Sequence, residues 1–193
     1  MTEERKQKIE SVLNRRQTNL TIVMEDVQDP RNITAVMRTA DAVGIQDIYV
    51  INTGKPTQKK FGYKSSSGVS KWITLHQFNS VEECFQELRK RFTVILTTHL
   101  SSDAIDLYSI DFTQSVALVF GNEQDGVSEQ ASALADGNFI IPQVGMVQSL
   151  NISVACAVSI YEAYRQKKKA GHYEQSTMPA NQMELLKTEW GLM

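Results

Sequence analysis

The chain is poor in cysteine, has no long apolar run, and lacks the glycine patterns that cradle phosphates. Its two cysteines, Cys84 and Cys156, stand among helix-like neighbours with no CxxC spacing and no histidine at ligand spacing. That excludes a zinc ribbon or a disulfide framework and leaves two packed thiols. Apolar stretches such as Val116–Phe120 and Phe139–Pro142 fall far short of the roughly 20 residues a membrane span needs. The opening Met1-Thr-Glu-Glu-Arg-Lys is charged and leads into no apolar segment with a cleavage site, so the expected location is cytoplasmic. Neither GxGxxG nor GxxxxGK[ST] occurs. The loop Gly121-Asn-Glu-Gln-Asp-Gly126 has the wrong spacing for either, and Glu123 and Asp125 would repel a bare pyrophosphate. His76, His99 and His172 share no ligand spacing, and no metal is expected.

An overall basic excess is missing too. The formal net charge is −2, which taken alone argues against nucleic acid, because polyanion binding rests on phosphate neutralisation by Lys and Arg. The distribution of charge argues the other way. Residues 1–16 carry Arg5, Lys6, Lys8, Arg15 and Arg16, and residues 48–81 carry Lys55, Lys59, Lys60, Lys64 and Lys71 without a single acid. A third basic cluster is Arg165-Gln-Lys-Lys-Lys169, whereas the stretch between Phe92 and Tyr164 holds eight carboxylates and no Lys or Arg. Charge segregated in this way fits a molecule with one basic and one acidic face.

At 193 residues and 41% hydrophobic the chain can bury a proper core. Ile9, Val12 and Leu13 give the start a narrow apolar stripe on a short helix. Leu20–Met24 reads as a strand, Asp29-Pro30 as an N-cap followed by proline at the first helical position, and Gly44 as the stop of that helix. Ile48–Ile51 is the next strand. Residues 53–80, punctuated by Gly54, Pro56, Gly62, Ser65–Ser67 and Gly68, read as one long basic loop. The remaining pattern is helix Val81–Arg91, strand Thr93–Thr98, strand Val116–Phe120, helix Ser128–Ala135, strand Phe139–Pro142 and helix Leu150–Lys168. After Pro179 a last helix carries Met183, Leu186 and Trp190 on one face. The expected fold is α/β, a mostly parallel sheet with helices on both faces. The expected organisation is a helical extension over 1–19, one domain over 20–168 and a second helical extension over 169–193.

Three segments, in this order and spacing, resemble the SpoU family of RNA ribose methyltransferases within the SPOUT superfamily. They are Asn32-Ile-Thr-Ala-Val-Met-Arg38-Thr-Ala-Asp-Ala-Val-Gly44, then Leu118-Val-Phe-Gly121-Asn-Glu123-Gln-Asp-Gly126, and Ile141-Pro142-Gln-Val-Gly145-Met-Val-Gln-Ser149-Leu150-Asn151-Ile-Ser153. The resemblance implies a deep trefoil knot in the C-terminal part of the sheet, which periodicity would never give, since true knots are nearly absent among folds. It implies S-adenosylmethionine as cofactor, a homodimer, and transfer of methyl to a ribose 2′-oxygen. The cofactor would be held by three loops, at Thr97, Thr98 and His99, at Leu118, Gly121, Asn122 and Gly126, and at Ile141, Pro142, Gly145, Ser149, Leu150 and Asn151. The short ends, with Arg15-Arg16-Gln-Thr-Asn-Leu-Thr and Thr97-Thr-His-Leu, are similar to members that methylate guanosine 18 of the tRNA D-loop. An rRNA target or another tRNA ribose is the alternative, and a non-catalytic RNA-binding module a more distant one.

The chemistry assigned by resemblance falls on Arg38, Asn32, Glu123 and Asn151. An arginine is a poor base, so Arg38 is expected to orient the hydroxyl and stabilise the developing alkoxide. Asn32 near a helix start could cap it or hold the guanidinium, and Glu123 could accept from Arg38, Asn32 or the ribose. Ser149 and Asn151 precede a helix whose free N–H groups collect polar partners, so capping and ligand roles can coexist there. Contacts to RNA are expected from Arg15, Arg16, Lys64, Ser65, Lys71, Arg165 and Lys168. Tyr173 and Trp190 are expected to pack rather than to stack bases.

Overall fold

A computed structural model describes residues 1–54, 68–99, 101–147 and 149–192. A parallel sheet runs through its centre. Leu20–Glu25 (β1) lies between Asp47–Ile51 (β2) and Val116–Phe120 (β6), and the full order is β3-β2-β1-β6-β4-β7-β5, with β3 Thr74–Phe78, β4 Val94–Thr98, β5 Ile105–Asp106 and β7 Gly137–Ile140. Every pairing is parallel, with Ile22 opposite Ile48 on one side and Leu118 on the other. Strands β1, β2 and β6 are buried at every position, as largely apolar strands covered on both faces should be.

Helices supply the two covers. Pro30–Ala42 (α2) and Ile152–Lys169 (α5) pack on one face, over a core that includes Leu20, Ile22, Met24, Ile33, Val36, Met37, Leu118 and Ile160. Val81–Arg89 (α3) and Glu129–Leu134 (α4) pack on the other, over Val23, Tyr49, Cys84, Phe85, Val119 and Ala131. Cys84 and Cys156 are both buried and unbridged. Burial pushes the Cys84 thiol up to about 12, so it stays a packing group.

The chain ends meet. Ile9 and Leu13 of Glu3–Leu13 (α1) cluster with Met178, and with Leu186 of Ala180–Glu189 (α6) and Trp190 just beyond it. Trp190 is 3% exposed, and Tyr173 donates to the Val43 carbonyl at 2.8 Å, so both aromatics pack as expected.

Two strands are absent from the sequence reading and a third is displaced. The stretch 53–80 ends in a helical turn, Val69–Lys71, and in β3, which pairs with β2 from Asp47–Thr74 to Ile51–Phe78. β3 is an edge strand, only half-buried, so its Thr-Leu-His-Gln-Phe did not have to be apolar. The two-residue β5 is too short to leave a pattern. The strand expected over Phe139–Pro142 sits earlier, at Gly137–Ile140, and the last long helix begins at Ile152, after Leu150. Among the described residues no helix is long and apolar enough to cross a membrane.

Candidate active site

Asp29 caps α2, its carboxylate accepting from the Arg31 backbone N–H at 2.8 Å, and Pro30 takes the first helical position, where no N–H is needed. Asn32 therefore stands in the first turn, at the carboxyl end of β1. Its amide Nδ2 donates to Glu123 Oε1 at 2.5 Å, and its Oδ1 accepts from Asn151 Nδ2 at 3.3 Å. Asn151 is at the same time the N-cap of α5, accepting from the Ser153 N–H at 2.9 Å. One hydrogen-bonded row thus joins residues 91 and 119 positions apart, one from each of the three motifs. Asn151 thus caps α5 and bonds Asn32 at the same time.

The loop that carries Glu123 is closed tightly. A Cβ on Gly121 would lie 1.9 Å from the carbonyl carbon of Gly126, so only glycine fits. Asn122 pairs with Gly126 across the turn, and its side chain accepts from the N–H groups of Gln124 and Asp125 at 2.9 and 2.8 Å. Gly126 takes a positive φ of 71°. Glu123 is left exposed at the tip, held by Asn32.

Two acids overlooked in the sequence tie down this end of the sheet. Glu25, 2% exposed, accepts from the Ser128 N–H at 3.0 Å and so anchors the exit of the Gly121–Gly126 loop. Asp26, with φ of 50°, accepts from the backbone and hydroxyl of Thr53 at 2.8 and 2.6 Å, fixing the exit of β2. Two carboxylates in succession at the end of an apolar strand were the available signal.

The expected cofactor residues divide by role. Thr98, His99, Gly121 and Ile141 lie at or just beyond the carboxyl ends of β4, β6 and β7, which adjoin in the sheet. Pro142, Gly145, Ser149 and Leu150 form an exposed segment leading to Asn151. Thr97 is buried, and Thr98 donates to the Val119 carbonyl at 3.3 Å. Leu118 lies in the core with no exposed surface, which leaves its side chain a packing role.

Arg38 is exposed on α2, about 9 Å along the helix axis from Asn32. Among the residues expected to meet RNA, Arg16 needs correction. It is 1% exposed and donates to Asp41 at 2.6 Å, to the Trp72 carbonyl at 2.9 Å and to the Ile45 carbonyl at 3.1 Å. Its guanidinium also lies 5.2 Å from the Trp190 ring centroid, so it knits the chain ends to the sheet instead of facing solvent. Arg15, Lys71 and Lys168 are exposed, with the Lys71 and Lys168 ammonium groups over the rings of Trp72 and Tyr164. Arg165 makes a two-point bond to Glu162. Lys167 of the same basic cluster is fully buried. Lys64 and Ser65 lie outside the described residues.

Comparison with known proteins identifies the family. Residues 19–161 match the SpoU rRNA Methylase family. The chain is 42% identical over 191 residues to a tRNA (guanosine(18)-2′-O)-methyltransferase of Thermus thermophilus, covering 98% of this chain and 96% of that one. The Escherichia coli protein of the same name is 38% identical, covering 93% and 79%. Among solved structures, the A. aeolicus TrmH/SpoU tRNA modifying enzyme superposes with a TM-score of 0.87 at 31% identity, covering 97% of this chain and 95% of that one. The SpoU methyltransferase AviRb from Streptomyces viridochromogenes, in complex with AdoMet, gives 0.69 at 28% identity over 81% and 60%. With a family match over most of its length and a near-complete relative, the chain belongs to the SpoU methylase family.

Proposed function

We propose that this protein is a tRNA ribose 2′-O-methyltransferase that uses S-adenosylmethionine and acts on guanosine 18. The observation that carries the reading is the Glu123–Asn32–Asn151 row, which brings three family motifs to one end of the sheet. Likeness to tRNA enzymes across nearly the whole chain supports tRNA over rRNA.

The residues present suit a cofactor of this kind. A sulfonium nucleoside carries no phosphate, and the loops beyond β4, β6 and β7 offer backbone groups, glycines and small hydroxyls with no arginine or lysine among them. Glu123, exposed at the loop tip, complements a positive charge. The loop at Thr98–His99, the Gly121–Gly126 turn and the Ile141–Leu150 segment would hold the cofactor, which supplies the electrophilic methyl. Asn32, locked by Glu123 and Asn151, positions the ribose. Arg38 presents a planar fork of N–H donors and no acceptor, so it serves as a donor that orients the 2′-hydroxyl and stabilises the alkoxide charge as the O–C bond forms.

Two further parts of the reading have their own support. The strand order β6-β4-β7-β5 takes the chain back and forth across this half of the sheet, which suits the family's trefoil knot. A homodimer is supported by exposed apolar side chains at Val144, Met146 and Val147, and by Val154 and Tyr161 on one side of α5. With tRNA as substrate the enzyme works in the cytoplasm. The test is transfer of labelled methyl from S-adenosylmethionine to total tRNA and rRNA, with mapping of the product. Label at guanosine 18 is the expected result, and label confined to rRNA would overturn the tRNA assignment.

A further inference from the structure

Among the described residues, a cavity of about 580 Å³ opens where α1 meets the end of α2, away from the motif row. Ile9, Val12, Trp72 and Trp190 give it apolar and aromatic walls, with the two indole rings edge-to-face at 4.9 Å. Exposed Arg5 and Lys8 stand at its rim, and Lys71 lies over the Trp72 ring. Arg16 and Asp41 form the back wall, already paired with each other. The one other carboxylate is Glu4. The buried Nε of Arg16 has no hydrogen-bond partner. The cavity lining therefore carries three cations, Arg5, Lys8 and Arg16, against two carboxylates, Glu4 and Asp41.

From this we infer that the cavity binds a nucleotide of the RNA substrate other than the one methylated, its base on the Trp72 wall and its phosphate between Arg5 and Lys8. Inorganic phosphate would leave the aromatic wall unused, and a purely apolar ligand would leave the rim cations unused. A base with its ribose and phosphate uses both, as in other single-strand sites where aromatic rings stack bases and cations track the backbone. The volume lies in the range of small-molecule sites. Position favours the same occupant. Asp41 lies three residues after Arg38, on an adjoining part of the α2 surface, and about 14 Å along the axis from Asn32. An RNA strand engaged at Arg38 can follow α2 into the cavity. This inference rests on the tRNA reading above.

Trp72 and Trp190 are the only tryptophans in the chain, so intrinsic tryptophan emission reports on this cavity alone. The experiment titrates the full-length protein with unfractionated tRNA and, separately, with guanosine monophosphate, for the wild type and for the doubly substituted Arg5→Ala/Lys8→Ala. Both substituted side chains are exposed and outside the core, so fold and S-adenosylmethionine affinity serve as controls. The expected result is a tRNA-dependent change of emission in the wild type. In the double variant, tRNA affinity falls about tenfold and the log–log salt slope flattens by about 0.7, one single-strand phosphate contact. A response to the monophosphate as well shows that a free nucleotide suffices, and a response to tRNA alone shows that the occupant must come from the chain. If tRNA binds and is methylated while emission and salt slope stay unchanged, the cavity inference falls and the methyltransferase reading stands. If tRNA is neither bound nor methylated, the reading falls, and the cavity survives only if the monophosphate changes the emission.

Discussion

Arg38 and Lys167 are both cations on helices, and their surroundings give them opposite meanings. Arg38, on the exposed face of α2, is proposed to act on the reacting oxygen. Arg38→Lys keeps the charge and loses the planar fork of donors, so the rate falls while cofactor binding survives. Loss of one well-placed donor costs on the order of a hundredfold, about 2.7 kcal/mol, and Arg38→Ala is at least as severe. Single-turnover methylation at saturating tRNA, beside calorimetric titration with S-adenosylmethionine, separates the two effects. Near-normal turnover in Arg38→Ala would remove it from the mechanism. Lys167 is the contrasting case, since it has no exposed surface and donates to Asn19 at 2.9 Å. Burial lowers its pKa from 10.5 to about 8, with Asp111 partly opposing the shift. Above pH 8 the unfolded chain keeps the proton that the native state has released, so stability rises with pH until the unfolded group also titrates near 10.5. Lys167→Met removes the buried charge and should stabilise by about 1–2 kcal/mol at pH 7. Denaturant melts between pH 7 and 10 should also lose that upward slope. A destabilised variant with the slope intact would show that the ammonium–Asn19 bond outweighs its desolvation.

Among the elements, those that face water on one side differ most in what they disclose. α5 buries Ile152, Cys156, Ile160 and Ala163 against the sheet yet leaves Val154 47% and Tyr161 51% exposed, two turns apart on one side. If that side is the dimer seam, Val154→Asp with Tyr161→Asp places four carboxylates in an apolar contact between two-fold related copies. Sedimentation should then show a monomer where the parent chain is a dimer, and an unchanged dimer would move the seam elsewhere. The same one-sidedness explains which elements can be read from the sequence. α2 is legible end to end because Asp29, Pro30 and Gly44 punctuate it and Ile33, Val36, Met37 and Ala40 keep helical spacing; Gly44 indeed takes a φ of 85°. β1, β2 and β6 are legible as apolar runs. β3 is not, because a half-buried edge strand carries His76 and Gln77 as readily as Leu75. The site divides in the same way. Asn32, Glu123 and Asn151 stand out through motif resemblance and meet in space. Burial of Arg16 is hidden, since its partners Asp41, Ile45 and Trp72 lie 25 to 56 positions away and no local pattern marks them.

At the scale of the whole molecule, α2 spans two functional regions. Its start supplies Asn32 to the motif row, and its end supplies Asp41 to the cluster in which α1, Trp72 and Trp190 meet. Strands β1, β2 and β6 are buried throughout, whereas the segment from Pro142 to Leu150 is exposed wherever it is described, with Val144 and Met146 almost fully in solvent. A ligand that touches the loops beyond β4, β6 and β7 together joins three strands that adjoin in the sheet but are far apart in sequence. Such a ligand binds the native state and not the unfolded chain, so it stabilises by RT ln(1 + [L]/Kd), about 2.7 kcal/mol at a hundredfold excess over Kd. For a chain of this size that corresponds to a rise in Tm of about 5–10 °C. S-adenosylmethionine should produce it. NAD(H) should not, because its pyrophosphate would meet Glu123 and Asp125 in a loop without the glycine fingerprint. Thermal melts with each ligand at matched concentrations make the comparison directly, and Gly121→Ala serves as a control, since the added Cβ collides with Gly126 and distorts the loop. A chain stabilised by NAD(H) and indifferent to S-adenosylmethionine would overturn the proposed cofactor and the methyl-transfer reaction with it.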